Sequence, residues 1–302
     1  MQIARRTLLR AGGAVAAGSL ASGSYVFGVE PNWFDLTVTT IPTRWLPRGK
    51  SLRVLHLSDF HASPAIPFSR IENAIALGLA QKPDLICLTG DYVTTNTGCD
   101  LARYRDVLAA FPAAAPTFAS VGNHDGGRWS ELRFGFKSSA RIRELLSNAG
   151  IHVLQNAATE REIKGQRLHV IGLADFWTRE FDSHAAFDGL PKQSEQLRVV
   201  LSHNPDTKAV LQYYSWELLL CGHTHGGQVQ IPFVGPPVLP ILDRAYYEGL
   251  HEWQGRRVYI TRGVGGVYGG IRFNCRPEVT ILDLVPGDSP VELTESQPRI
   301  HS

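Results

Sequence analysis

The sequence predicts an α/β fold, an αββα sandwich of two mixed β-sheets flanked by helices, and three observations predict it. Short apolar runs alternate with segments of helical spacing through the first two thirds. The last third is rich in strand-forming runs, and five of the apolar runs lead directly into clusters of Asp, His and Asn. Strand–helix alternation followed by hairpins is the pattern of a layered sheet pair with helices outside. At 302 residues, 43% hydrophobic and 19% charged, the chain can bury a full core. No fixed-period repeat or low-complexity linker divides it, so residues 30–302 are expected to form one domain, as a monomer.

The elements follow in order. Glu30–Pro47, with alternating Thr and Val beside Trp33, Phe34 and Trp45, reads as an edge strand leading into the body. Leu52–Leu57 is a strand. Phe68, Ile71, Ile75 and Leu79 fall at helical spacing, with Ser69 as the expected N-cap. Leu85–Leu88 is a buried strand, Leu101–Phe111 a helix and Thr117–Val121 a strand, and Ser138–Asn148 is a helix stopped by Gly150. Strands are expected at Ile151–Leu154, Leu168–Leu173, Leu197–Leu201, Leu218–Cys221, Val229–Ile231, Val258–Thr261 and Val279–Leu284. A short helix opens at Asn204-Pro205, with proline at its first position.

The first 29 residues differ from the rest. Arg5-Arg6-Thr7-Leu8-Leu9-Arg10 precedes an uncharged, Ala-, Gly- and Ser-rich stretch from Ala11 to Val29. That is the pattern of a twin-arginine export signal, with Ser19-Leu20-Ala21 as a cleavage site, or of a retained N-terminal anchor. The glycines and serines make it poorly apolar for a permanent span. Removing its three arginines and no acid takes the net charge from +2 to −1, so the mild basicity belongs to the signal. Partners implied are the export machinery and, for an anchor, the membrane. The body carries no basic block, which excludes nucleic acid on charge grounds. Cys87, Cys99, Cys221 and Cys275 show no C-x-x-C spacing; Cys87 and Cys221 are expected to be small buried residues, and whether Cys99 and Cys275 pair is left open by the sequence.

Five clusters carry the chemistry: Asp59-x-His61, Gly90-Asp91, Gly122-Asn123-His124-Asp125, Ser202-His203-Asn204 and Gly222-His223-Thr224-His225. Each stands just beyond an apolar strand, at the carboxyl end where open α/β sheets place ligands. In an extended segment residues i and i+2 point the same way, which would pair Asp59 with His61 and His223 with His225. The glycines before Asp91, Asn123 and His223 allow sharp turns and close approach. Carboxylates, imidazoles and an amide oxygen together suit two divalent ions, with Mn²⁺ the first choice and Zn²⁺ or Fe the alternatives. His56, His152, His169, His184, His251 and His301 match no motif, and His56 is expected to face the core.

The pattern D-x-H, G-D, G-N-H-D, H and G-H-T-H resembles the calcineurin-like metallophosphoesterase superfamily. Glu30-Pro31-x-Trp33-Phe34, Gln81-Lys82-Pro83-Asp84-Leu85-Ile86, Cys221-Gly222-His223-Thr224-His225-Gly226-Gly227-Gln228, Arg262-Gly263-Val264-Gly265 and Asn274-Cys275-Arg276-Pro277-Glu278-Val279 are similar to its bacterial YaeI/YkuE-type phosphoesterases. The resemblance implies a division of ligands: Asp59, His61 and His225 on one metal, Asn123, His203 and His223 on the other, and Asp91 bridging both. It further implies a metal-bridging hydroxide as nucleophile. His124 would be a catalytic residue at the leaving oxygen, with Asp125 orienting its ring. The implied activity is phosphate-ester hydrolysis, a diester preferred over a monoester. The alternatives are a UDP-2,3-diacylglucosamine pyrophosphatase-like enzyme acting on a lipid-linked substrate, and an envelope-binding module with a structural metal. Tyr92-Val93-Thr94 after Gly90-Asp91 sets the chain apart from serine/threonine protein phosphatases, which carry Asp-Arg-Gly there. Arg128 and Trp129 form either a lip of the cleft or an exposed packed loop, and the proline-rich Phe233–Leu242 stretch is expected to pack as a loop across the sheet edge, the alternative being a lipid-accepting or membrane-facing groove.

Overall fold

Each strand of the inner layers divides its side chains between two cores, and this fixes the architecture of the computed structural model. The structure describes residues 23–96 and 98–287. The twin-arginine motif and most of the expected signal lie outside the described residues. No helix among the described residues is long and apolar enough to cross a membrane.

The first sheet runs β1 (Asp35–Thr43), β12 (Glu278–Pro286), β2 (Leu52–Leu57), β3 (Leu85–Thr89), β4 (Thr117–Ser120) and β5 (His152–Val153). The second runs β10 (Gly249–Trp253), β11 (Arg256–Ile260), β9 (Leu218–Cys221), β8 (Leu197–Leu201), β7 (Gln166–Gly172) and β6 (Ala157–Ile163). Strands β2 to β5 are mutually parallel, as are β7, β8, β9 and β11. Antiparallel β12, β6 and β10 make both sheets mixed.

Alternation along the strands builds the sandwich. Val54, Leu85 and Cys87 pack between the sheets against Val199, Leu218 and Leu220. Leu55, Leu57, Ile86 and Leu88 point the other way, onto α1 (Phe68–Leu79), α2 (Leu101–Leu108) and α3 (Ala140–Asn148). Val200, Leu219 and Cys221 face the opposite outer layer, which includes Phe187, Leu211 and Trp216. A fully buried aliphatic side chain of this kind contributes about 1.5–3 kcal/mol. The carboxyl ends of β2, β3, β4, β8 and β9 are therefore held in register by packing beneath them.

Local chemistry explains where the elements depart from expectation. Helix α1 starts after Pro67, an extended residue, and Ser69 lies inside it without capping. The segment expected as one helix, Leu101–Phe111, divides at Ala109. Pro112 lacks an N–H and its ring crowds the carbonyl four residues back. Val229–Ile231 forms two isolated bridges rather than a strand, as the prolines that follow deny it ladder donors. Strands β6 and β10 carry no apolar run because they are edge strands with charged sequences, Ala157-Ala158-Thr159-Glu160-Arg161-Glu162-Ile163 and Gly249-Leu250-His251-Glu252-Trp253. All four cysteines are free.

Candidate metal centre

Parallel strands bring five loops to one edge of the sandwich. Ser58–His61 follows β2, Gly90-Asp91 follows β3, Gly122–Asp125 follows β4, Ser202-His203 follows β8 and Gly222–His225 follows β9. Asp59, His61, Asp91, Asn123, His203, His223 and His225 are all buried there. Ligand-type atoms of Asp59, His61 and His225 lie within 4.8 Å of one another, and so do those of Asp91, His203 and His223.

One oxygen joins the two groups. Asp91 Oδ2 lies 3.5 Å from His61 Nε2 and 3.0 Å from His203 Nε2, while Asp91 Oδ1 accepts the His124 backbone N–H at 2.8 Å. The outer group closes through His225 Nε2, 3.3 Å from Asp59 Oδ1 and 3.2 Å from His61 Nε2. Two of the rings, His203 and His223, are turned by the second nitrogen. His203 Nδ1 donates to the Thr89 carbonyl at 2.7 Å, leaving Nε2 facing the cluster. His223 does the reverse, donating from Nε2 to the Pro240 carbonyl at 3.0 Å.

The pairing of Asp59 with His61, and of His223 with His225, does not come from extended backbone. All four residues have positive φ, from 49° to 70°, as does Asp91 at 55°. The strands have already ended, and left-handed turns re-aim the side chains instead. Such conformations are sparsely populated for non-glycine residues and collect at functional sites. Of the three preceding glycines only Gly90 needs its conformational freedom, with φ +89°. Gly222 is a close-approach glycine, since a Cβ there would lie 2.1 Å from Asp59 Oδ2.

The electrostatics favour a cation-binding cluster. Burial pushes Asp59 up to about 6, against the pull of His203. Burial also works against charge on Asp91, but His203, His124 and His61 around it hold its carboxyl well below the usual range. For His203 burial is likewise outweighed, by Asp91 and Asp59, and its pKa rises. Burial keeps His61 and His225 well below the ordinary imidazole value and takes His223 down to about 3. Three neutral imidazoles thus present lone pairs beside two carboxylates. Asn123 Oδ1 is buried without a hydrogen-bond partner, which costs free energy unless another group satisfies it. This donor set fits two divalent ions.

His124 stands at the outer side of the cluster. Its Nδ1 faces the Thr94 carbonyl at 3.1 Å, and since a carbonyl only accepts, that nitrogen carries the proton. Its ring meets His61 edge-on at 4.6 Å and Trp129 at 4.5 Å. Asp125 does not orient that ring. Its Oδ2 accepts the backbone N–H of Asp91 at 2.8 Å and of Gly122 at 2.7 Å, and its Oδ1 accepts that of Tyr92 at 2.8 Å. A carboxylate so occupied staples the Asp91 and Asn123 loops together, and the role expected of it on His124 is corrected accordingly.

A cavity of about 610 Å³ opens over the centre, lined by Asp91, Asn123, His124, His223 and His225 together with Trp129, Trp177 and Arg133. Of the expected lip residues Trp129 lines it and Arg128 does not; Arg133, with its guanidinium 4.0 Å from the Trp129 ring centroid, takes that place. Asp175 stands outside the five clusters. It lies just past β7, fully buried, with Oδ2 unpartnered and its carboxyl pushed up to about 7 by burial against the pull of His203. The signal was present, because Ala174-Asp175 follows an apolar strand as the five clusters do.

Two mixed sheets between helices, with paired metal-ligand groups sharing one carboxylate at the strand ends, define a two-metal hydrolase. The chain belongs to the calcineurin-like phosphoesterase family, whose sequence profile matches residues 52–227, and it is an enzyme that hydrolyses phosphate esters. It is 42% identical over 94% of its length to the whole of phosphodiesterase YaeI of Escherichia coli (strain K12). It is 29% identical to the uncharacterized metallophosphoesterase YkuE of Bacillus subtilis (strain 168), across 90% of this chain and 94% of that one. UDP-2,3-diacylglucosamine pyrophosphatase LpxG of Chlamydia muridarum (strain MoPn / Nigg) is 23% identical, across 89% and 94%.

Proposed function

We propose that the protein hydrolyses phosphodiesters at a dinuclear centre, most readily with Mn²⁺. The observation that carries this reading is the position of Asp91 Oδ2 between the two ligand groups, with His124 beside it, edge-on to His61 and with a ring nitrogen within 4.8 Å of the ligand-type atoms of His61 and Asp91. Asp59, His61 and His225 would hold one ion, Asn123, His203 and His223 the other, with Asp91 shared. When bound, two such ions supply a water of lowered pKa and neutralise the phosphoryl oxygens. His124, its Nδ1–H held by the Thr94 carbonyl, leaves Nε2 for the substrate; as the imidazolium it would give the Nε2 proton to the leaving oxygen and return to the neutral ring. Arg133 brings a positive charge to the cavity wall, and Trp129 and Trp177 shield the site from bulk water. The preference for a diester draws support from the relative named a phosphodiesterase.

Residues 1–29 would direct export by the twin-arginine route to the periplasm or cell envelope, cleaved or retained as an anchor, and residues 30–302 would form the catalytic domain. The second reading, cleavage of a nucleotide-linked sugar lipid, draws support from Val229, Val238 and Ile271 in the cavity wall and from the pyrophosphatase relatives. Export away from the nucleotide pool counts against it.

The test is His124→Ala assayed on a bis-aryl phosphate with metal content measured in parallel. Turnover should fall by roughly 10²–10⁴ with metal content unchanged. Wild-type turnover at unchanged metal content would remove His124 from the chemistry; a metal-loaded wild type that turns over no ester would favour the binding module.

A further inference from the structure

Hydrolysis does not explain how apolar the mouth of the cleft is. Sixteen large hydrophobic side chains are exposed among the described residues, and all but Val38 and Tyr213 lie on segments that wall the cavity or on the N-terminal turn beside one of them. Phe233 is fully exposed, Leu242 is 89% exposed and Tyr268 is 79% exposed. Apolar side chains scattered singly over a surface need no explanation, whereas a set confined to one rim marks an interaction surface.

The chain itself points to what covers that rim. Ala11–Val29 carries no charged residue, and its end is fastened to the rim. The Arg272 N–H donates to the Val26 carbonyl at 3.1 Å, and buried Glu30 accepts the Cys275 N–H through Oε1 at 2.5 Å. Arg272 directly follows Ile271, which lines the cavity with Tyr268. The uncharged stretch therefore joins the body beside the cleft mouth, where Phe27, Val29 and Trp33 are themselves exposed. Arginines sit over aromatic rings on both sides, Arg276 over Trp33 at 4.7 Å and Arg133 over Trp129 at 4.0 Å. Apolar side chains interleaved with aromatic rings and arginines suit the headgroup level of a bilayer.

We propose that this rim is a membrane-docking surface. The exposed side chains of the 231–242 and 267–273 loops and of the N-terminal turn enter the interfacial layer of a lipid bilayer, which sets the cleft over phosphodiester headgroups. The choice of headgroups as substrate rests on the phosphodiesterase reading above; the docking does not.

The test uses the metal-loaded full chain carrying Cys99→Ser and Phe233→Cys, labelled at residue 233 with an environment-sensitive fluorophore. The control carries the label at Tyr213→Cys. On dioleoyl phosphatidylglycerol/phosphatidylethanolamine vesicles, the label at 233 should shift to the blue and be quenched by acyl-chain bromines, and the label at 213 should do neither. A label at 233 that stays in water, whether the protein is vesicle-bound or free, overturns the proposal. So does a blue shift that appears without vesicles as protein concentration rises, which would assign the rim to a second copy. The same labelled protein is assayed on a soluble bis-aryl phosphate. Penetration without hydrolysis would sink the phosphodiesterase reading and leave the docking standing, and hydrolysis without penetration would do the opposite.

Discussion

Removing the Asp125 carboxylate separates two accounts of this residue. In the structure it accepts three backbone N–H groups, those of Asp91, Tyr92 and Gly122, at 2.7–2.8 Å. Asp125→Ala leaves three buried donors unsatisfied, at about 1–3 kcal/mol each. Partial relaxation offsets some of this, and so does relief of a carboxyl that burial and neighbouring Asp91 push up to about 8. A net loss of about 3–6 kcal/mol is expected, a large part of a typical domain's 5–15 kcal/mol. Asp125→Asn is milder: an amide oxygen in the Oδ2 position keeps two bonds and turns an NH₂ towards Tyr92, for about 1–3 kcal/mol. Urea denaturation followed by far-ultraviolet circular dichroism measures both. Metal content should fall in the alanine variant, since the stapled loops carry Asp91 and Asn123. If Asp125→Ala unfolds within about 0.5 kcal/mol of wild type while turnover collapses, the carboxylate serves the chemistry and not the loops.

Two further outcomes follow from buried charge and buried neutrality. Arg272 is buried and donates to the carbonyls of His225, Arg262, Gly263, Gly265 and Cys275. Arg272→Met should cost about 3 kcal/mol and lower the melting temperature by roughly 6–12 °C, and a melting temperature within about 2 °C of wild type would contradict the clamp. His56 is held neutral by burial, its pKa pushed down to about 3. Between that value and about 6.5 the unfolded chain binds a proton that the native protein does not, so stability is lost as pH falls through this window, by about 1.4 kcal/mol per pH unit. His56→Gln should flatten the slope of unfolding free energy against pH by one proton between about pH 4 and 6. Equal slopes would show that His56 does not titrate with unfolding.

The parts of the fold legible in the sequence are those that alternation and apolar runs determine. β3 and β9 are buried throughout and read as nearly continuous apolar runs, β2 and β8 are apolar but for Arg53, His56 and Arg198, and the ligand clusters at the ends of all four marked the site edge. The edge strands β6 and β10 were illegible because one face meets water and tolerates Glu, Arg and His. The site residues could be listed from the sequence, but their aim could not. Left-handed turns at Asp59, His61, Asp91, His223 and His225 are stabilised by packing and hydrogen bonds from distant loops, which no local pattern records. Asp125 shows the same limit. The resemblance implied a partner for His124, whereas the fold delivers Asp91 and Tyr92 to Asp125 from the loop after β3. Trp177 and Arg133 entered the cavity wall by loop placement alone.

The central claim is that two metal ions share Asp91. Anomalous diffraction from crystals of the Mn²⁺-loaded protein tests it most directly. Two peaks about 3.5–4 Å apart are expected, one against Asp59, His61 and His225, the other against Asn123, His203 and His223, with Asp91 touching both. A single peak, or two peaks that do not share Asp91, would contradict it.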